Sequence, residues 1–160
     1  MNLYNYSDLS AVLTLLYDKD ATAPILVAST NVVTQYNKVS NQAETYGEFE
    51  FVDIIAGTYL LEIDRPGYVP YFIKVEITDS SKDLGIWELV PGDVDRDGTI
   101  TSTDYSICAR YIGAIVGSGM YAGKYDITGS GSISSTTVAW LARYIGFNFT
   151  LYPNTGIDFD

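Results

Sequence analysis

The stretch Asp93-Val94-Asp95-Arg96-Asp97-Gly98-Thr99-Ile100-Thr101-Ser102-Thr103-Asp104 limits the fold of this chain more than any other. It sets side-chain oxygens at positions 1, 3, 5, 9 and 12 of a twelve-residue loop, from Asp93, Asp95, Asp97, Thr101 and Asp104. Thr99 at position 7 offers its backbone carbonyl. Gly98 stands at position 6, where the chain must turn sharply, and glycine takes positive φ without a Cβ clash. One loop can wrap its own oxygens around Ca²⁺ with this spacing, because the hard ion takes about six to eight oxygen ligands. The expectation is one firm calcium held by Asp93, Asp95, Asp97, Thr99, Thr101 and Asp104.

A second copy follows at an offset of 33 residues: Asp126 answers Asp93, Gly131 answers Gly98, and Ser135-Thr136 answer Ser102-Thr103. The segments Ala109-Arg110-Tyr111-Ile112-Gly113 and Ala142-Arg143-Tyr144-Ile145-Gly146 have the same five residues, so the chain contains an internal duplication. The copies differ where metal chemistry is decided. The second loop carries Thr128, Ser130 and Thr137 at positions 3, 5 and 12, leaving Asp126 as its only carboxylate. Calcium affinity follows ligand charge and number. The second loop is therefore expected to keep its shape through Gly131 and Ile133 while holding metal weakly or not at all.

An ordinary EF-hand has a helix entering its loop. Here Leu84–Val90 alternates in polarity and ends at Pro91-Gly92, which predicts a strand and a turn. Two loop-plus-helix halves without incoming helices, each with Ser-Thr at loop positions 10 and 11, resemble a dockerin over about residues 91–149. Dockerins are the small modules by which cellulosomal enzymes and scaffoldins plug into cohesins. The resemblance implies a cohesin partner, a secreted or cell-surface-attached setting, and origin in a longer secreted chain. It also implies contact through Ser102, Thr103 and Arg110, with Ser135, Thr136 and Arg143 as a near-identical second set. Each Arg lies eight residues beyond its Ser, about two helical turns, and so shares a face with it. Two matching faces would allow a cohesin to dock in either of two orientations.

The first ninety residues read as many short strands between turn signals: Ser10–Tyr17, Pro24–Thr30, Asn31–Tyr36, Gly47–Ile54, Thr58–Asp64, Tyr68–Ile77 and Leu84–Val90. The predicted fold is an all-β sandwich over residues 1–90 and a small α-helical module with two EF-hand-like loop–helix repeats over 91–160. The cadence of Tyr46–Phe51, Ala56-Gly57-Thr58-Tyr59 and Arg65-Pro66-Gly67-Tyr68 is similar to immunoglobulin-like and transthyretin-like modules. In scaffoldins such a domain fused before a dockerin is an X-module, which implies bracing of the dockerin. The short connection Val90-Pro91-Gly92 suits a rigid pair.

Composition narrows the chemistry. The net charge is −11, with −8 on residues 1–90 and −3 on 91–160, which disfavours nucleic acid as a partner. With no histidine, Ser-His-Asp and Cys-His catalysis are unavailable, zinc lacks its usual nitrogen ligand, and no phosphate-binding loop occurs. No enzyme is expected. Cys108 reads as a small apolar filler in the helix after the first loop, and a single cysteine forms no intrachain disulfide. No segment is long and apolar enough to span a bilayer, and Met1-Asn2-Leu3-Tyr4 does not open a signal peptide. Tyr111, Ile112, Trp140, Leu141, Tyr144 and Ile145 are expected to pack the two helices together. Fourteen tyrosines suggest a carbohydrate-binding sandwich as an alternative, and the loops a calcium-responsive switch as another.

Overall fold

The computed structural model describes residues 1–5, 26–29, 33–37 and 42–159. Among the described residues six strands precede two α-helices: β1 Asn2–Asn5, β2 Leu26–Ser29, β3 Val33–Asn37, β4 Gln42–Glu48, β5 Gly57–Ile63, β6 Tyr71–Ile77, α1 Ser102–Ala109 and α2 Ser135–Ala142. The strands form an antiparallel four-stranded sheet in the order β2-β1-β5-β6 and an antiparallel β3-β4 pair. The expected strand Ser10–Tyr17 lies outside the described residues.

Three expectations for the strands need correction. Gln42, read as part of a polar loop, opens β4, which ends at Glu48. Beyond it Phe49 and Phe51 meet edge-to-face at 6.0 Å, and Asp53 turns the chain at φ 57, outside the extended region a strand requires. Leu84–Val90 is not a strand either. Gly85 takes φ 76, Ile86 is 93% exposed, and pairing is limited to the end, where Val69 N–H donates to Val90 O at 2.9 Å. β1, at the start of the chain, is a further strand. It pairs with both β2 and β5.

β5 and β6 are dry on more than the one face that alternation predicts. Register puts Tyr59, Leu61 and Ile63 beside Val75, Ile73 and Tyr71 on one face, and all six are buried. The other face holds Leu60 and Phe72, also fully buried. Phe149 from the C-terminal segment covers Phe72 edge-to-face at 5.6 Å. Beside them Glu62 is capped by Asn2 Nδ2 at 2.7 Å, and its partial burial raises its pKa.

The helical region is built on a pseudo-twofold plan. Each loop pairs with the chain that leaves the other helix. Ile100 N–H donates to Phe147 O and Gly146 N–H to Ile100 O, both at 2.8 Å; Ile133 N–H donates to Ala114 O and Gly113 N–H to Ile133 O, again at 2.8 Å. Ile100, Ile133, Cys108 and Leu141 are buried at equivalent positions between the halves. Tyr111 stacks on Tyr125 at 4.2 Å. Trp140, Ile112 and Ile145, expected between the helices, are instead 39%, 48% and 50% exposed. The inward stripe is set by Asp104 and Cys108 on α1 and by Thr137, Val138 and Leu141 on α2, which leaves Trp140 on the outer side of α2, while Ile112 and Ile145 fall in the turns beyond the helix ends.

After α2 the chain returns to the sheet. Tyr152 stacks on Tyr71 at 4.0 Å with rings 8° from parallel. Its hydroxyl donates to Val69 O and accepts from Val90 N–H, each at 2.8 Å. Lys74 N–H of β6 donates to Thr155 O at 2.8 Å, and Tyr71 hydroxyl donates to Pro153 O. The tail thus lies along the edge of β6.

Candidate functional site

The first loop is organised around two buried carboxylates. Asp93 is fully enclosed; its Oδ1 accepts from Asp97 N–H at 3.1 Å and its Oδ2 from Gly98 N–H at 2.9 Å. Asp104, also fully enclosed, closes the loop from the other end. Its Oδ1 accepts from Val94 and Asp95 N–H at 2.9 and 3.3 Å, and its Oδ2 from Thr101 N–H at 2.8 Å. The same residue completes a capping box with Thr101, so the loop's last position is also the first turn of α1. A carboxylate there also faces the positive end of the helix dipole.

Asp93, Asp95 and Asp97 bring carboxylate oxygens within 4.8 Å of one another. Oxygens bound to one calcium at about 2.3–2.6 Å sit no farther apart than about twice that distance, so the spacing suits a shared ion. Burial, with the charges of Asp104 and Asp97 adding to it and the Gly98 N–H opposing, pushes Asp93 up to about 7. Burial and the same two charges raise Asp95. Among the described residues no basic side chain forms an ion pair with Asp93, Asp95, Asp97 or Asp104. Arg96, at loop position 4 with φ 66, points away and pairs with Asp64 beyond the end of β5. Clustered carboxylates without a counter-cation, held in a loop with hard oxygen donors, fit Ca²⁺. Thr99 supplies N–H to Asp97 at 2.9 Å, and Thr101 Oγ1 caps α1 by accepting from Thr103 N–H at 3.0 Å.

The second loop keeps the backbone and changes the chemistry. Gly129 takes φ 65 where Arg96 takes φ 66, and Gly131 φ 79 where Gly98 takes φ 85. Ser134 and Thr137 repeat the capping box at α2. Asp126 is nearly buried, and although burial pushes its pKa up, hydrogen bonds from Tyr121, Gly131, Thr128 and Ser130 hold it below the ordinary aspartate value.

Ser102, Thr103 and Arg110 are all exposed on α1 and its C-cap, and Ser135, Thr136 and Arg143 are exposed in the same way on α2. Arg143 lies 5.9 Å over the ring of Trp140. Sequence spacing did not single out the recess beside it, lined by Arg143, Tyr144, Ile145, Gly146, Phe147 and Leu151. It forms because the chain doubles back after α2, which is a long-range event. Cys108 is fully buried, and burial, aided by Asp104, pushes its thiol up to about 11, as suits an inert filler.

Comparison with known proteins agrees with this architecture. Residues 91–146 match the family model of the dockerin type I domain. The chain is similar to one in a crystal structure of an N-terminal interface mutant of a type II cohesin–X-dockerin complex from Acetivibrio cellulolyticus. The TM-score is 0.55 at 25% identity, over 62% of this chain and 69% of that one. A C-terminal interface mutant of the same complex gives a TM-score of 0.55 at 24% identity, over 63% and 70%. No curated protein matches in sequence. Residues 91–146 are thus similar to the dockerin type I domain, in a chain similar to those of cohesin–X-dockerin complexes.

Proposed function

We propose that this chain is a non-catalytic assembly module whose dockerin, residues 91–160, binds a cohesin in a calcium-dependent manner outside the cell. Residues 1–90 form its X-module, an immunoglobulin-like or transthyretin-like β-sandwich that braces the dockerin. The observation that carries this reading is the match of residues 91–146 to the dockerin model, in a chain similar to X-dockerin complexes with cohesin. Calcium, when bound, supplies the positive charge that the first loop lacks. Asp93, Asp95, Asp97, Thr99, Thr101 and Asp104 are the proposed ligands. In the present geometry Asp104 and Thr101 serve the loop backbone and the helix cap, while the other three aspartates bring their carboxylate oxygens together.

Ser102, Thr103 and Arg110, with Ser135, Thr136 and Arg143, are the proposed cohesin contacts. Their exposure and pseudo-twofold placement support this role: hydroxyls donate and accept, while each guanidinium reaches carboxylates or carbonyls in forked geometry. Calorimetric titration against a panel of cohesins, first with calcium and then with excess chelator, tests the reading. One-to-one binding lost on chelation is expected. Silence from every cohesin, with the protein folded and calcium-loaded, would overturn it.

A further inference from the structure

The duplication presents a second possible metal site at Asp126, and the side chains around it argue against one. Every group equivalent to a first-loop ligand is already engaged within the protein. Asp126 Oδ1 accepts from Thr128 Oγ1 at 3.0 Å, Ser130 N–H at 3.2 Å and Ser130 Oγ at 3.4 Å. Its Oδ2 accepts from Gly131 N–H at 2.7 Å and from the Tyr121 hydroxyl at 2.9 Å. Ser132 O, equivalent to the Thr99 carbonyl, accepts from Ser130 Oγ at 2.9 Å and faces Thr137 Oγ1 at 3.5 Å. Ser134 and Thr137, equivalent to Thr101 and Asp104, bond each other across the α2 cap.

The contrast with Asp93 is chemical. Asp93 accepts from backbone N–H groups alone and stands beside two further carboxylates, leaving negative charge for a cation. Asp126 stands alone in charge, and hydroxyl protons converge on it. Tyr121 comes from outside the twelve-residue loop, and its position in the first half is held by Glu88, which supplies no such proton. A calcium ion at Asp126 would have to displace these donors and find its remaining ligands among neutral hydroxyls, with a single carboxylate to attract it. We infer that the second loop is a metal-free loop, closed by the hydroxyls of Tyr121 and Thr128 and the backbone N–H groups of Ser130 and Gly131 in place of an ion. The start of α2, with Ser135 and Thr136, is then indifferent to calcium, whereas at α1 the ion would add to the capping box that Thr101 and Asp104 already form, so only the first docking face would respond to it. Only this last consequence for docking rests on the dockerin reading.

The test is a calcium titration of chelator-stripped protein by calorimetry, with no cohesin present. One ion per chain is expected for the native sequence and none for Asp93→Asn. Two ions in the native protein, or one surviving in Asp93→Asn, would overturn the inference. Thr128→Asp/Ser130→Asp, which restores carboxylates at positions 3 and 5, is expected to raise the count to two; an unchanged count would also overturn it. Tyr121→Phe is expected to lower the melting temperature equally with calcium and with chelator. A penalty that disappears with calcium would place an ion at Asp126. Cohesin binding does not enter these readouts, so failure of the docking reading would leave the ion count standing.

Discussion

Asp93 concentrates the chemistry of the first loop in one buried carboxyl. Without calcium its pKa is raised to about 7 from 3.8, chiefly by burial. The folded chain therefore holds a proton that the unfolded chain releases, and stability falls as pH rises wherever the native state binds more protons. The contribution is fully present below the unfolded value of 3.8 and is lost as pH rises through about 7. In chelator, the melting temperature is thus expected to fall between pH 4 and pH 7. Calcium binds the deprotonated carboxylate, so its affinity should rise over the same interval, by about tenfold per pH unit for one displaced proton. Thermal unfolding with and without calcium across that range checks both slopes. Asp93→Asn should flatten the chelator series; a slope that survives it would assign the titration elsewhere. Asp126→Ala has a different expected signature. It removes the acceptor of five hydrogen bonds, so stability should drop in both conditions while calcium uptake changes little.

The C-terminal segment after α2 joins the first loop to the sheet. Phe149 N–H reaches Gly98 O at 3.3 Å, and its ring covers Phe72. Three residues later, Tyr152 stacks on Tyr71 and bridges Val69 O and Val90 N–H through one hydroxyl. Tyr152→Ala is expected to cost about 3 kcal/mol, as for other large-to-small changes at buried aromatic sites. Tyr152→Phe keeps the stack and leaves Val90 N–H without its acceptor, a loss of about 1–3 kcal/mol. Denaturant unfolding should rank alanine below phenylalanine below the native protein. The apolar run Phe147–Pro153 was legible as a segment that returns to cover the helical module, but its partners were not: Phe149 and Tyr152 meet Phe72 and Tyr71 only through the fold. The loops were legible because ligand spacing, Gly98 and the Thr101–Asp104 box act within twelve residues. Strand boundaries were less so: Glu48-Phe49-Glu50-Phe51 has the alternation of a strand, yet the ladder stops at Glu48, Phe49 and Phe51 pair with each other, and Asp53 turns the chain at positive φ. Trp140 has the composition of a core residue, but the inward stripe of α2 is filled by Val138 and Leu141.

The sheet and the helical region touch at several points, so calcium bound in the first loop is expected to be felt by both. Gly92 N–H donates to Gly67 O at 2.7 Å, Arg96 pairs with Asp64, and the tail runs along β6. The closest approach is at Gly67, whose φ of 85 already favours glycine; a Cβ there would stand 2.3 Å from Lys124 O. A ligand that binds only the folded state stabilises whatever unfolds with its site, by about 2.7 kcal/mol at a hundredfold excess over Kd. If the contacts make one cooperative unit, calcium should move a single calorimetric transition upward, sheet included. Gly67→Ala should force the two parts away from each other at the tightest point. Its expected signature is a split transition, in which the part containing the first loop still responds to calcium and the sheet no longer does. Near-ultraviolet circular dichroism can follow the sheet through the Tyr71–Tyr152 stack while calorimetry follows the whole. Two transitions already present in the native protein would show that these contacts join the parts without coupling them. The sheet would then position the helical region without sharing any stability that calcium adds to it.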